Sequence, residues 1–335
     1  MKEFMRLELQ LFAGNPNTQT TDKADAVGKN DLSSTMKTFY KTSLLENARA
    51  NLYFNQFGQK QPLPENNGKK VEWRKFDTFE KAMTPLTEGV TPDGHNINMT
   101  KIEKEIAQYG DYVTVSDRLE LEAVDPIIMC VTEETGAEAG EVLDTITRNE
   151  VVTGTNVIYA GSKTSRATLG KTDILTPTLV DQAFTFLKKM KAPTINGDYI
   201  AIIHPSVAYD LRESTDWLDI HKYSQPGEIF NGEIGKLHGV RFIETTEQKV
   251  WEAGASNGAV YATTFFGKDA WGVIEPSAEA LEVIVKQRGS AGTADPLDQR
   301  STIGFKASHA AKILYQERLV RVESGSFYSD VDKEN

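Results

Sequence analysis

Cysteine is nearly missing from this chain. Cys130 stands alone, so no intrachain disulfide can form and no thiolate metal cluster can be built within one copy, which suits a reducing cytoplasm. Long apolar runs are missing too: nothing approaches the roughly 18 residues of a membrane span. The opening MKEFMRLELQLFAG is interrupted by Glu3, Arg6 and Glu8, which reads as neither signal peptide nor anchor. No membrane partner is expected. Basic residues are outnumbered, and a net charge of -11 argues against a general binder of nucleic acid or anionic membrane, because neutralising phosphates needs clustered Lys and Arg. The histidines His95, His204, His221, His238 and His309 lack H-x-x-x-H spacing, so neither a metal nor another cofactor is expected. No internal repeat is visible.

What is present is enough apolar material, 39% of 335 residues, to build real cores in two or three domains. The chain is organised around DPIIMCVTEETGAEAGEVLDTITRNEVVTG, residues 125–154. Asp125 is a natural N-cap, Pro126 sits where a missing N–H costs nothing, and Gly154 supplies the stop. The spacing predicts one helix of about 40 Å at 1.5 Å per residue. Its core stripe is expected to be Ile128, Val131, Thr135, Ala139, Val142, Leu143 and Ile146. Glu134, Glu138, Glu141 and Asp144 fall on the far, wet side. Within the helix only Arg148 offsets this acidic stripe.

Before it, Gly14 to Ser34 is Asn-, Thr-, Asp- and Gly-rich and reads as an extended arm; Thr38 to Phe57 has a helical apolar pattern closed by Gly58. VEWRKFDTF from Val71 and INMTKIEKEIA from Ile97 read as the strands of a long hairpin around a turn-rich segment. Its charge density is high and its alternation imperfect, so it is expected to project from the body, with folding back on its own domain the open alternative. Trp73, Phe76 and Phe79 resemble a stacking platform, but interspersed Glu72, Asp77 and Glu80 favour contact with protein. Tyr109 to Leu121 runs as a strand into the long helix. After it come a helix in LVDQAFTFLKKMKA, a buried strand YIAII, a helix from Ser206 to Arg212, and strands at 240–244, 259–266 and 281–286, together a compact α/β block. Two closing strands, Ser301 to Leu314 and Glu317 to Ser324, are expected to pair with each other beside the long helix.

Chemistry is hard to find. His204, Ser206 and Asp210 have the residue types of nucleophilic catalysis, yet there is no G-x-S-x-G elbow, and His-Pro at a strand end caps a turn. The GSKTS loop lacks phosphate-loop spacing. No catalytic residue is expected. Arm, hairpin and long helix are parts for joining copies of one chain.

The stretches TEGVTPDG, QYGDYVTVSDRLELEAVDPI, GTNVIYAG, YIAIIHPSVAYDLR, NGEIGKLHGVRFIET, YATTFFGKDAWGVI, GSAGTADPLDQRSTIGFKA and RLVRVES, in this order, resemble the major capsid family typified by the phage N4 coat protein. The likeness runs from Thr38 to Ser324 and implies the α+β Hong Kong 97-type fold of tailed-phage capsids. It implies a flexible arm (1–37), an N-terminal helix and linker (38–67), an extended hairpin loop (68–108) and a peripheral domain with the spine helix (109–165). An axial domain (166–298) and return strands with a tail (299–335) complete the chain. By resemblance the partners are copies of itself in hexamers and pentamers, scaffold, portal and decoration proteins, and packaged double-stranded DNA without sequence-specific contacts. The location is the virion, after assembly in the host cytoplasm. His204, Pro205 and Asp210 become scaffold residues, and no motif transfers a covalent cross-link. A neighbour's hairpin lies across the spine in that fold, so Lys69, Lys70, Arg74, Lys75 and Lys81, with Trp73, Phe76 and Phe79, become candidate contacts to the stripe of Glu134, Glu138 and Glu141; plain solvation of the stripe is the alternative. An encapsulin-like nanocompartment shell is the rival of the same fold, and a hydrolase using His204, Ser206 and Asp210 the remote one.

Overall fold

A computed structural model describes residues 52–62, 69–76, 96–122, 127–214, 233–255, 258–275, 281–290 and 295–335, with short pieces at 22–24, 30–32, 44 and 217 and scattered positions over 81–94. In chain order its strands are β1 (Asp22–Ala24), β2 (Asn30–Leu32), β3 (Gln59–Gln61), β4 (Lys70–Phe76), β5 (Met99–Glu105), β6 (Ala107–Ser116), β7 (Val157–Tyr159), β8 (Tyr199–Ile203), β9 (Glu233–Leu237), β10 (Val240–Glu244), β11 (Val250–Glu252), β12 (Ala259–Phe266), β13 (Trp271–Ile274), β14 (Leu281–Lys286), β15 (Arg300–His309), β16 (Ala311–Ile313) and β17 (Leu319–Ser324). The α-helices are α1 (Asp117–Glu122), α2 (Ile127–Val151), α3 (Pro177–Lys189) and α4 (Pro205–Arg212).

The central sheet runs β7-β17-β12-β8-β10-β9, with β11 also on β12. Every residue of β8, β12 and β17 is buried, because both faces of this sheet are covered. Tyr199, Ala201 and Ile203 point to one face, where Val180, Ala183 and Leu187 of α3 and Val207, Ala208 and Leu211 of α4 pack. Ile200 and Ile202 point to the other, against Val151, Phe266 and Trp271. Thr176 caps α3 by accepting from the Leu179 N–H, with Pro177 in the first turn.

A second sheet, β16-β13-β3, covers that other face, and a third, β14-β15-β6, lies on α2 through Leu281, Phe305 and Ala307 against Ala139 and Leu143. β4 and β5 form the hairpin, from Lys70↔Glu105 to Phe76↔Met99.

Four expectations change. β15 and β17 do not pair: β15 lies between β14 and β6, whereas β17 joins β12 and β7 in the central sheet. The strand from Tyr109 stops at Ser116, whose hydroxyl accepts from the Leu119 N–H and opens α1. Of the helix expected over Thr38–Phe57 most lies outside the described residues, as do Asp125 and Pro126, and the described end, 52–58, is a turn. The buried side of α2 is Thr132, Thr135, Gly136, Ala139, Gly140, Leu143, Asp144, Thr147, Arg148 and Val151. At about 100° per residue that face is rotated roughly a quarter turn from the apolar stripe, leaving Ile128, Val131, Val142 and Ile146 only partly covered.

Candidate assembly surfaces

The hairpin has two faces with different fates. Inward, Val71 and Trp73 are buried with Ile274, Ala310 and Leu314, and Ile102 packs beside them. Lys75 reaches Glu317 at 3.7 Å and lies over the Tyr315 ring, and Lys104 reaches Glu150 at 3.1 Å. Outward, Lys70, Glu103, Lys101 and Glu72 form a solvent-facing ladder of ion pairs. The root is therefore part of its own subunit. Trp73, at 1% exposure, is a core residue and no longer a candidate contact between copies.

Beyond the root, the described apolar side chains of the tip are exposed. Phe76, Met83, Leu86, Ile97 and Met99 are exposed, as are Lys69, Arg74 and Lys81. Phe79 lies outside the described residues. On α2, Glu134 and Glu141 face solvent, whereas Glu138 leans on β6: burial, and then the Asp111 carboxylate beside it, push its carboxyl up. Part of the acidic stripe thus meets acid from its own chain.

The outer face of β14-β15-β6 holds an open groove of about 400 Å³ between Tyr112, Ile284, Lys286 and Lys306. Its floor is Gly304 and Gly110. A Cβ on Gly304 would stand 2.6 Å from the Asp111 carbonyl oxygen, and one on Gly110 2.5 Å from that of Phe305, so only glycine fits either place.

Asp144, expected on the wet side, is 0% exposed. Its Oδ1 accepts from the N–H groups of Phe54 (2.7 Å) and Asn55 (3.1 Å), tying the 52–58 turn to α2. Thr147 donates to Asn55 Oδ1 at 2.7 Å and lies 2.9 Å from His309 Nε2. Arg148, also buried, donates to the Glu247 carbonyl at 2.7 Å, and its charge offsets part of what burial does to Asp144. Burial pushes Asp144 up to about 7 and His309 down to about 4. The signs oppose. Stability from Asp144 is present below its unfolded value near 3.8 and lost as pH rises through 7. That from His309 is present above 6.5 and lost as pH falls through 4. Urea titrations from pH 4 to 7 are read relative to the wild type, because other shifted groups, His204 among them, move with pH in all three proteins. His309→Gln should gain stability as pH falls, and Asp144→Asn should lose it, each by about 3 kcal/mol across the window. Parallel profiles for all three proteins would refute the opposition.

The hydrolase candidates do other work. His204 Nδ1 accepts from the Ser206 N–H as the cap of α4, and burial lowers its imidazole pKa. Ser206 Oγ is 3.2 Å from Asp332 Oδ2, and Asp210 Oδ2 accepts from the Phe327 N–H at 2.9 Å. Ser206 and Asp210 hold the C-terminal tail while His204 caps the helix, and no hydroxyl–imidazole–carboxylate relay links the three. Among the described residues no group of three or more His, Cys, Asp or Glu is arranged to hold a metal, and no helix is long and apolar enough to cross a membrane.

Residues 143–288 match the family model described as phage capsid protein. No curated protein matches the chain. Among solved structures, the capsid of Ralstonia phage GP4 superposes with a TM-score of 0.64 at 13% identity, over 84% of this chain and 90% of that one. The capsid of cyanophage Pam1 gives 0.63 at 12%, over 93% and 98%. The head of Helicobacter pylori bacteriophage KHP40 gives 0.57 at 10%, over 94% and 96%. The chain has the Hong Kong 97-type fold of phage capsid proteins, and across residues 143–288 it carries the sequence pattern of the phage capsid family.

Proposed function

We propose that the chain is the major capsid protein of a phage head, self-assembling as hexamers and pentamers into an icosahedral shell around double-stranded DNA. The observation that carries this is the superposition on the Pam1 capsid subunit over almost the full length of both chains, joined to the family match. In this reading the segments 1–37, 38–67, 68–108, 109–165, 166–298 and 299–335 are arm, linker, hairpin, peripheral domain, axial domain and return with tail. The eight resembling blocks support the N4-type branch. Scaffold, portal and decoration proteins are the further partners, and assembly takes place in the host cytoplasm. Exposed Lys69, Arg74 and Lys81 are the hairpin cations placed to meet Glu134 and Glu141 of a neighbour, because Lys70 and Lys75 have acidic partners in their own chain.

The encapsulin-like shell is the second reading. The virus-like particle of Pyrococcus furiosus shares the fold, but at a TM-score of 0.51 and 10% identity it is a poorer match than the phage capsids. Expression of the full chain, followed by sedimentation and negative-stain imaging, tests the proposal: closed shells are expected. A chain that stays monomeric at every concentration, with scaffold protein co-expressed, overturns it.

A further inference from the structure

Residues 325–335 are held to the body by polar atoms. Gly325 and Ser326 are a fixed anchor: a Cβ on Gly325 would stand 2.3 Å from the Gly170 carbonyl oxygen, and Ser326, 0% exposed, donates to the Ser206 carbonyl at 3.0 Å. Beyond them Phe327–Asn335 lies as a strap over one end of the central sheet. The Phe327 N–H donates to Asp210 Oδ2, and the Asp330 carbonyl accepts from the Ala259 N–H. Farther along, Asn335 Oδ1 accepts from the Val250 N–H and its Nδ2 donates to the Gln248 carbonyl, each at 2.9 Å. Lys171 pairs with Asp330 at 3.8 Å, and Lys249 with Glu334 at 3.1 Å. The apolar side chains stay outside. Phe327, Tyr328 and Val331 are exposed, with Tyr328 stacked on exposed Tyr209 and Phe327 beneath Lys171. The core on this face is closed without them, by Val207, Leu211, Tyr261, Val320 and Val322.

One carboxylate ties the strap to rigid ground. Asp332 Oδ2 accepts from the Tyr261 hydroxyl at 2.6 Å and from Ser206 Oγ at 3.2 Å, while its Oδ1 accepts from Ser329 at 2.9 Å. Tyr261 and Ser206 are 0% and 5% exposed and stand on β12 and in the first turn of α4, with the His204 ring 4.9 Å from that of Tyr261. Core elements place both donors. Water replaces polar contacts of this kind at small net cost, and a segment with few buried apolar contacts opens far more readily than the sheet beneath it.

We infer that Phe327–Asn335 is a detachable internal ligand: it lifts from the Gly325–Ser326 anchor while the sheet stays folded, and the Tyr261–Ser206 site then takes the Asp332 carboxylate of a second copy's strap. The contacts that choose this occupant are those already made within one chain, and exchange of an identical element between copies needs no new complementarity. Opening uncovers hydroxyls that water can solvate and leaves the apolar core closed. The inference concerns the unassembled subunit and does not rest on the capsid reading.

Two measurements on the full chain test it. In amide exchange, the N–H groups of Phe327, Ala259 and Val250, which bond across the strap contact, are expected to exchange roughly a hundredfold faster or more than those of Ile202 and Phe265 in the sheet. In fluorescence anisotropy, a labelled peptide of residues 325–335 is expected to bind the Asp332→Ala chain at least tenfold more tightly than the wild-type chain, whose own strap fills the site. A peptide carrying the same Asp332→Ala change should bind neither, and Tyr261→Phe added to the Asp332→Ala chain should abolish the binding. If the three amides exchange no faster than the sheet, the strap opens only with the whole fold and the inference falls. It falls too if the peptide binds neither chain, or binds as well without the Tyr261 hydroxyl. A chain that cannot fold once Asp332 is replaced overturns it as well, because the strap is then part of the core.

Discussion

Trp73→Ala is expected to lower the stability of the unassembled subunit by about 3–5 kcal/mol, the cost of emptying a large aromatic site in a core that cannot collapse around it. The site is rigid because Gly272 lies under the indole: a Cβ there would stand 2.3 Å from Trp73 Nε1. Val71, Ile274, Ala310 and Leu314 close the other sides. The indole N–H is buried without an acceptor among the described residues, so Trp73→Phe removes an orphan donor along with some volume and should cost far less than the alanine change. The tip behaves oppositely. Replacing residues 77–98 by a short Gly-Ser turn should leave the urea midpoint of the subunit unchanged and abolish shells, because Met83, Leu86 and Ile97 are exposed in the subunit. Trimming back to residue 70 should unfold the root. Urea denaturation and sedimentation of the four variants separate these outcomes, and a tip replacement that still forms shells would show that the tip is not an assembly surface.

The physical reason this division was only half legible in the sequence is instructive. The hairpin could be read from two strand-like runs around a turn-rich segment, but a tryptophan among Glu72, Arg74 and Lys75 gives no sign of which sheet lies beneath it. Strands β8 and β12 were plain because residues buried on both faces make continuous apolar runs, and α3 was plain because its apolar period is clean. The face of α2 was misplaced because its buried side is built from Thr, Gly, Asp and Arg, whose partners are backbone groups near Phe54 and Glu247, distant in sequence. β17 misled for a related reason: Arg321, Glu323 and Ser324 read as a wet face, yet all are buried in the central sheet. The C-terminal tail gives no sign of its packing, since a segment that hides its polar atoms and shows Phe327 and Tyr328 inverts the rule by which tails are read.

Glu323→Ala is expected to cost about 3 kcal/mol, because it strands the buried Arg321 guanidinium and takes the carboxylate from half-buried Arg166. Glu323 is 0% exposed; its Oε1 accepts from Arg166 Nη2 at 2.7 Å and Arg321 Nε at 2.8 Å, and its Oε2 from Arg166 Nε at 2.8 Å. Arg166 lies 3.5 Å over the Trp251 ring, and Arg321 Nη1 reaches the Gly154 carbonyl at the end of the spine helix. One carboxylate therefore joins the 160–168 loop, the β11 edge, β17 and the helix terminus. Breaking such a group and replacing it are different experiments. Glu323→Leu with Arg321→Leu and Arg166→Met removes all three charges together, and its stability should return to within about 1 kcal/mol of wild type or exceed it, since no ion is left unpaired. The bond from Arg321 to Gly154 is still lost in that triple variant. Its shells should therefore form with a looser spine-to-sheet joint, seen as faster amide exchange around residues 152–156 at unchanged global stability. Should Glu323→Ala cost less than about 1 kcal/mol in urea, the two guanidinium groups have found water, and the cluster does not hold helix to sheet.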